Sequence, residues 1–491
     1  MTDTQAAIPI LDTRRGKSLL ALLLAIAFLD FVDASIVNVA LPSIRADLGF
    51  KIENLQWVLG GYLVTYGGFI LLGGRLADLF GRRRLVVIGT VVFMLSSVSG
   101  GVAQNPGTLI GSRLVQGVGA ALMLPAALSI LTTTFSHPID RTKALGAWGA
   151  LAGLGSAVGV LLGGVLSDYL NWRWVFFVNP PLCIAVLFAV FRLLPSDKPR
   201  QRGPLDVVGA FLVTGAMLLL VYTIVEAPQK GWGSGSTVAG LVGSGVLLAI
   251  FGVVEATIAH PLFPFSIFRI KGLGEADLTQ VVAMAGFYSM FFFATLYMQN
   301  VLHYSQIKTG VIYLPVTLGV AVGAGIATKL VPKTGTRPLI VVGAITGACG
   351  IFWLSQIPVH GHYWSNLLGP LQIMSFGLGA LFVGVTTAAQ AGVPEEQAGL
   401  AAAMINASTW LGGALGIAVF SAIATSRAND HLAHGATQGA ALTSGFRAAF
   451  LASAIAIAVA ALIALRSRNA TAADIVGEAG DEGLVPEAVG A

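Results

Sequence analysis

Charged side chains are scarce in this chain, making up 10% of its 491 residues, where an ordinary soluble domain carries roughly 25%. So little charge cannot solvate the surface of a protein this size, which excludes a soluble globular class. Cysteine is nearly absent as well. Cys183 and Cys349 both fall within apolar runs, which leaves them as packing residues and excludes a disulfide framework or a cysteine-rich metal site. His360, His362, His431 and His434 lie between apolar runs without metal-ligand spacing. There is no phosphate-binding glycine loop and no Ser/His/Asp arrangement, so an enzyme is not expected, nor a metal or organic cofactor. The net charge of +5 comes from basic residues in short loops and reads as a membrane-topology signal; no nucleic-acid partner follows from it.

What the sequence does have is hydrophobic length: 55% of its residues are apolar. Stretches near the ~20 residues that a bilayer needs run at 19–41, 55–76, 84–104, 108–133, 143–166, 174–194, 205–226, 237–259, 278–301, 309–331, 338–357, 364–389, 398–425 and 446–466. These predict an all-α membrane protein of about fourteen transmembrane helices. The first stretch is too long for a cleavable signal peptide, carries two Asp and lacks an A-x-A-like site, so it is expected to remain as an anchor. With the N-terminus cytoplasmic, about 20 Lys and Arg fall in cytoplasmic loops against roughly 7 outside, including the group Arg75 and Arg82 to Arg84. Both termini are therefore expected on the cytoplasmic side of a cell (inner) membrane, which the chain crosses many times. The residues after Arg468, with five acids among Ala and Gly, read as a disordered acidic tail.

Asp30 and Asp33 interrupt the first apolar run. An Asp at the centre of a membrane helix costs roughly 2.5 to 3.5 kcal/mol on insertion scales, and two of them three residues apart share one helix face. Such a pair is a site hypothesis by default, with protons as the ligand. The sequence also repeats. GRRRL at 81–85 matches GTRPL at 335–339, QGVGAALM at 116–123 matches FGLGALFV at 376–383, and GSAVG at 155–159 matches GGALG at 412–416. Offsets of about 254, 260 and 257 in the same order are what a duplicated bundle leaves behind. Two six-helix halves are expected, at 19–194 and 278–466, with a linker and inserted helix pair across 195–277. A cytoplasmic segment at 1–18 and the tail at 467–491 complete the organisation.

Four motifs carry finer information. GRLADLFGRRRL at 74–85 places Gly74, Asp78, Gly81, Arg82 and Arg83 around a tight turn, where Asp78 can pair with Arg82 or cap the next helix. LDFVDASIVNVALP at 29–42 holds Asp33, Asn38 and Pro42, and LIGSRLVQGVGAA at 109–121 holds Arg113, Gln116 and Gly117. Counting 1.5 Å per residue puts Arg113 roughly 8 Å and Asp33 roughly 12 Å deep, within reach of each other if their helices adjoin. GSAVGVLLGG at 155–164 spaces Gly155, Gly159 and Gly163 every four residues, followed by Gly164, as a smooth face for a neighbouring helix. NWRWVFFVNPP at 171–181 supplies interfacial tryptophans, and there Asp168 and Arg173 are expected to pair.

Together these motifs resemble those of the fourteen-helix drug:proton antiporters of the major facilitator superfamily, the QacA/EmrB type, over nearly all of 19–466. The resemblance implies a major facilitator fold, a cytoplasmic latch formed by Gly74, Asp78, Gly81, Arg82 and Arg83, and proton coupling through Asp33 and Arg113, with Asp30 as an additional acid. Val160 stands where the antiporter motif has Pro, and Ser35 where Thr is usual. In the second half Pro332 replaces Asp78 and Ile373 replaces Arg113, so proton chemistry is expected in the first half. Tyr62, Tyr66, Gln116, Phe287, Tyr288, Phe291, Tyr297, Gln299 and Asn406 are candidates for lining a cavity for apolar or cationic ligands. The function expected is proton-driven efflux of hydrophobic small molecules by alternating access, performed by a monomer in the lipid bilayer. A dedicated exporter or importer of one metabolite on the same fold is the alternative within transport, and a non-transporting membrane sensor the alternative of another class.

Overall fold

The computed structural model describes residues 10–11, 13–135, 138–195, 206–258, 261, 265–270, 272–391, 393 and 395–470. Fourteen long helices run through them: α1 Arg14–Leu48, α2 Trp57–Phe80, α3 Arg82–Gly101, α4 Pro106–Thr134, α5 Pro138–Tyr169, α6 Asn179–Leu193, α7 Val207–Lys230, α8 Gly235–Thr257, α9 Leu273–Asn300, α10 Gln306–Thr334, α11 Thr336–Leu354, α12 Leu368–Gln390, α13 Glu395–Ala433 and α14 Gln438–Ala464. Their ends follow local chemistry. Thr13, Asn105, Asp206, Ser234, Ser305 and Thr437 each accept a first-turn N–H through a side-chain oxygen, satisfying donors that a helix start leaves open. Gly81 separates α2 from α3 at φ 100°, a conformation that a side chain would strain. Several helices outrun the apolar stretch that predicts them. α13 has 39 residues, about 58 Å at 1.5 Å each, because the helical hydrogen-bond ladder continues past the hydrocarbon depth.

The helices pair in two matching patterns. α1 packs on α5, α2 on α4, α3 on α4 and α6; likewise α9 packs on α13, α10 on α12, α11 on α12 and α14. The pair α7 and α8 stands apart from both sets and is joined to them where α7 packs on α2 and α13. Glycines set the close approaches. A Cβ on Gly159 would strike Val32 and Ser35 of α1, and one on Gly163 would strike Ile36. Gly412 and Gly416 meet Val281 and Ala285 of α9 in the same way. The repeat is thus physical, although its register differs in one place from the sequence alignment. Gly119 of α4 sits against Gly89 of α3, and Gly377 of α12 sits against Gly343 of α11, so these helices correspond at an offset of 258 (377 against 119) and not 260. The counterpart of Arg113 is therefore Leu371 and not Ile373; alternating glycines in both segments had hidden a two-residue slip.

The chain remains anchored beyond Arg466. Thr336 N–H donates to Ala470 O at 3.0 Å, Ala470 N–H donates back to Thr336 Oγ1 at 3.1 Å, and Arg337 N–H donates to Asn469 Oδ1 at 3.0 Å. Residues 467–470 are thus a strap across the α10–α11 turn and no part of a disordered tail; from Thr471 onward that expectation lies outside the described residues.

Candidate functional site

Asp33 is fully buried, and four helices converge on it. Its Oδ2 accepts from Arg113 Nη1 at 2.6 Å, and its Oδ1 accepts from Gln116 Nε2 at 2.8 Å and Asn179 Nδ2 at 2.6 Å. Ser97 Oγ on α3 accepts second bonds from Gln116 at 2.8 Å and Asn179 at 2.9 Å, so α1, α3, α4 and α6 share one network. Arg113 is held in turn. Its Nε donates to Val58 O at 2.9 Å, its Nη1 donates to Gln116 Oε1 at 2.6 Å, and its guanidinium lies 4.3 Å from the centre of the Tyr62 ring. Arg113 Nη2, also buried, has no hydrogen-bond partner among the described residues. An ion pair with 0% of either side chain exposed survives only with this much hydrogen bonding, since desolvation otherwise exceeds the Coulomb gain.

Asp30 occupies a second compartment one turn away. Tyr62 Oη donates to its Oδ1 at 2.5 Å and Tyr66 Oη to its Oδ2 at 3.5 Å. Tyr62 thereby touches both acids' surroundings, with its ring under Arg113 and its hydroxyl on Asp30. Trp410, from α13 in the other set of helices, stacks on Tyr66 with centroids 4.5 Å apart and meets Tyr62 and Tyr288 at 6.3 and 6.0 Å. Aromatic contact in this geometry adds about 0.5–1.5 kcal/mol beyond burial and closes the two halves over Asp30.

Other bonds across the halves lie toward the end of the molecule that carries Asp47 and Trp172. Asn38 donates to Phe291 O at 3.4 Å, Gln299 donates to Val39 O at 2.9 Å, and Gln306 donates to Ser43 Oγ. The Asp168 carboxylate accepts from the N–H groups of Gln306 and Ile307 at 3.3 and 2.9 Å, capping α10 from the opposite half. It does not pair with Arg173 as expected; Arg173 reaches Asp47 at 2.9 Å, and Trp172 Nε1 donates to the same carboxylate. The Arg173 guanidinium is engaged elsewhere, by Asp47 and by the Gly101 and Ala103 carbonyls, which leaves Asp168 to the helix N-terminus. Gly164 seats against Gln306 and Ile307 at the same junction, while Gly155 seats against Phe31, so the glycine face meets α1 on one side and α10 on the other. At the opposite end Asp78 pairs with Arg82 at 3.4 Å, and Arg82 donates to Thr133 Oγ1 at 2.8 Å and Ser129 O at 3.3 Å. Arg83 stacks over Phe191, and Gly74 faces Pro125; these contacts are all within the first six helices.

The nine cavity candidates make several different contacts. Tyr62, Tyr66 and Gln116 belong to the acid networks, and Tyr288 reaches Trp410. Phe287 fills the place opposite Gly347 of α11, and Phe291 packs on Tyr313. Tyr297 donates to Pro358 O at 2.6 Å, Gln299 ties α9 to α1, and Asn406 donates to Ala402 O of its own helix. Helical spacing alone cannot separate an inward face from a helix–helix face when every position is apolar. Asn179, Ser97 and Trp410 escaped the sequence reading. Asn179 had a signal, a polar residue directly before Pro180 and Pro181 in an apolar run; Ser97 and Trp410 had none.

The model for the Major Facilitator Superfamily matches residues 23–417. The chain is 40% identical to the puromycin resistance protein of Streptomyces alboniger, over 88% of this chain and 86% of that one. It is 39% identical to the cephamycin export protein of Amycolatopsis lactamdurans, over 83% and 85%. Among solved structures it superposes on a bacterial homologue of the human lysosomal transporter Spinster, inward-facing and unoccupied, with a TM-score of 0.65 at 16% identity, over 93% of this chain and 98% of that one. A D-xylose–proton symporter gives 0.63 at 15%, over 93% and 99%. With most of its length matched by that family, this multi-pass membrane protein belongs to the Major Facilitator Superfamily and is a transporter.

Proposed function

We propose that the protein exports hydrophobic small molecules of the antibiotic kind across the cell membrane, as a monomer, coupled to protons moving inward through Asp33. Relatives named for antibiotic resistance and export support the direction and the class of cargo. The observation that carries the coupling is the buried Asp33 held by Arg113, Gln116 and Asn179 on three other helices. A proton on Asp33 cancels the charge that binds the guanidinium and loosens contacts between α1, α4 and α6. Loss of the proton restores them. Two helix arrangements with different proton affinity are what alternating access requires. One proton moving down 100 mV supplies about 2.3 kcal/mol, enough to bias such an equilibrium. The cross-half bonds described above close the end near Asp168; the excess of basic residues in the alternate loops supports taking that end as the outside and both termini as cytoplasmic.

Everted membrane vesicles carrying the protein test this. An imposed pH gradient should drive accumulation of a lipophilic probe or neutral antibiotic, and Asp33→Asn should abolish it. Equal accumulation with and without the gradient would remove proton coupling.

A further inference from the structure

Beyond the first-half network, the second half holds a buried acid that the function described so far does not use. Asp277, on α9, is 7% exposed, and its hydrogen bonding consists of one neutral donor, Ser408 Oγ of α13, to Oδ1 at 2.9 Å. Its Oδ2 is buried with no partner among the described residues. One turn along the same helix face, Gln280 is fully buried and donates through Nε2 to Thr409 Oγ1 at 2.8 Å, leaving its Oε1 unpartnered too. Two acceptor oxygens on adjacent turns of one helix face are thus without a donor among the described residues. A buried carboxylate with one neutral hydrogen bond is far costlier as an anion than as an acid.

Charge from the surroundings does not remove that cost. From Leu400 to Ser426, α13 has no ionisable side chain, and α12 has none at all. α14 carries Arg447 at its far end, with Arg466 and Arg468 beyond its near end. The 3₁₀ turn Phe265–Arg269 before α9 contributes Arg269, α10 contributes Lys329 and Lys333, α1 contributes Asp30 and Asp33, α13 begins with Glu395 and Glu396, and α9 itself has Glu275. Among the described residues Arg447, Arg466, Arg269, Lys329, Lys333, Asp30, Asp33 and Glu275 form no hydrogen bond or ion pair with Asp277. Asp277 also lies past the first turn of α9, where the helix terminus no longer favours an anion strongly.

We infer that Asp277 is a second proton-binding site, in the opposite half from Asp33, with Gln280 as the acceptor for its carboxyl hydrogen. The proton adds to Oδ2, the oxygen without a donor, and leaves from it to water when α9 and α13 separate. The location gives it leverage. Ser408 and Thr409 hold Asp277 and Gln280, and the next residue, Trp410, stacks on Tyr66 above Asp30. One stretch of α13 therefore touches the second-half acid and the aromatic closure over the first-half acid. The role in transport rests on the proton-coupling reading; the protonation does not.

Infrared spectroscopy of the purified protein in lipid decides it. At neutral pH, the wild-type minus Asp277→Asn difference should contain the carbonyl stretch of a protonated carboxylic acid. Ser408→Ala, which removes the donor to Asp277 Oδ1, should keep that band to more alkaline pH. A difference showing a carboxylate band instead would overturn the inference. If Asp277→Asn does not fold, an unmoved alkaline titration in Ser408→Ala would overturn it equally. In everted vesicles Asp277→Asn should lower the number of protons taken per substrate while substrate still equilibrates. Should wild-type transport ignore the pH gradient, the coupling reading fails, and the infrared result still decides Asp277.

Discussion

Asp33→Asn tests the central network most directly. The carboxylate accepts three bonds, at 2.6, 2.8 and 2.6 Å, whereas an asparagine offers one oxygen and an amide nitrogen that can only donate. Rotating that oxygen toward Arg113 turns its N–H groups onto Gln116 and Asn179, which are donors themselves; the opposite rotation faces them to the guanidinium. Either way Arg113 keeps its charge and loses its only carboxylate, and removing one partner of a buried pair costs about 3–5 kcal/mol. The bonds to Gln116 Oε1 and Val58 O remain, so a cost near the lower figure, about 3 kcal/mol, is expected. Asp33→Asn should lower the unfolding temperature in detergent. Arg113→Met on that background should recover part of the loss, because it removes the stranded buried charge. Gradient-driven transport should stay absent in both. A double variant no more stable than Asp33→Asn would show that Asp33 does not carry Arg113, and the coupling argument would fall with it.

Further variants separate the other parts of the site. Tyr62→Phe removes the 2.5 Å donor to Asp30 while keeping the ring beneath Arg113; transport should fall several-fold with Asp33-dependent coupling intact, and a wild-type rate would show that this bond is idle. Asp30→Asn should reduce efflux of monovalent and divalent lipophilic cations more than of a matched neutral compound if the carboxylate selects charge; an equal loss across all three would make Asp30 a support for its neighbours. Gly163→Leu drives a side chain into Ile36 of α1, and folded yield should drop severely; normal yield would contradict the close helix contact. Asp168→Ala strips the cap from α10 and should raise labelling of a cysteine placed at Ser43 by an outside thiol reagent, whereas unchanged labelling would exclude a role in closure.

The sequence by itself determined the number of helices, because crossing a bilayer demands long apolar runs that little else produces. It determined the two-fold repeat, because duplicated helices keep glycines wherever backbones must touch. It marked Asp33 and Arg113 as partners, since charged groups in hydrocarbon are too costly to stand alone. Only the tertiary structure decided what surrounds them. Asn179 reaches Asp33, and Ser97 joins the same network through Gln116 and Asn179, from helices far away in the chain, and a single serine or asparagine in an apolar run has no periodicity to betray it. The fate of Asp168, the two-residue shift that makes Leu371 the counterpart of Arg113, and the bond from Ser408 to Asp277 were decided the same way. Each depends on how two helices rotate against each other, and where every face of a helix is apolar the pattern along the chain does not record that rotation.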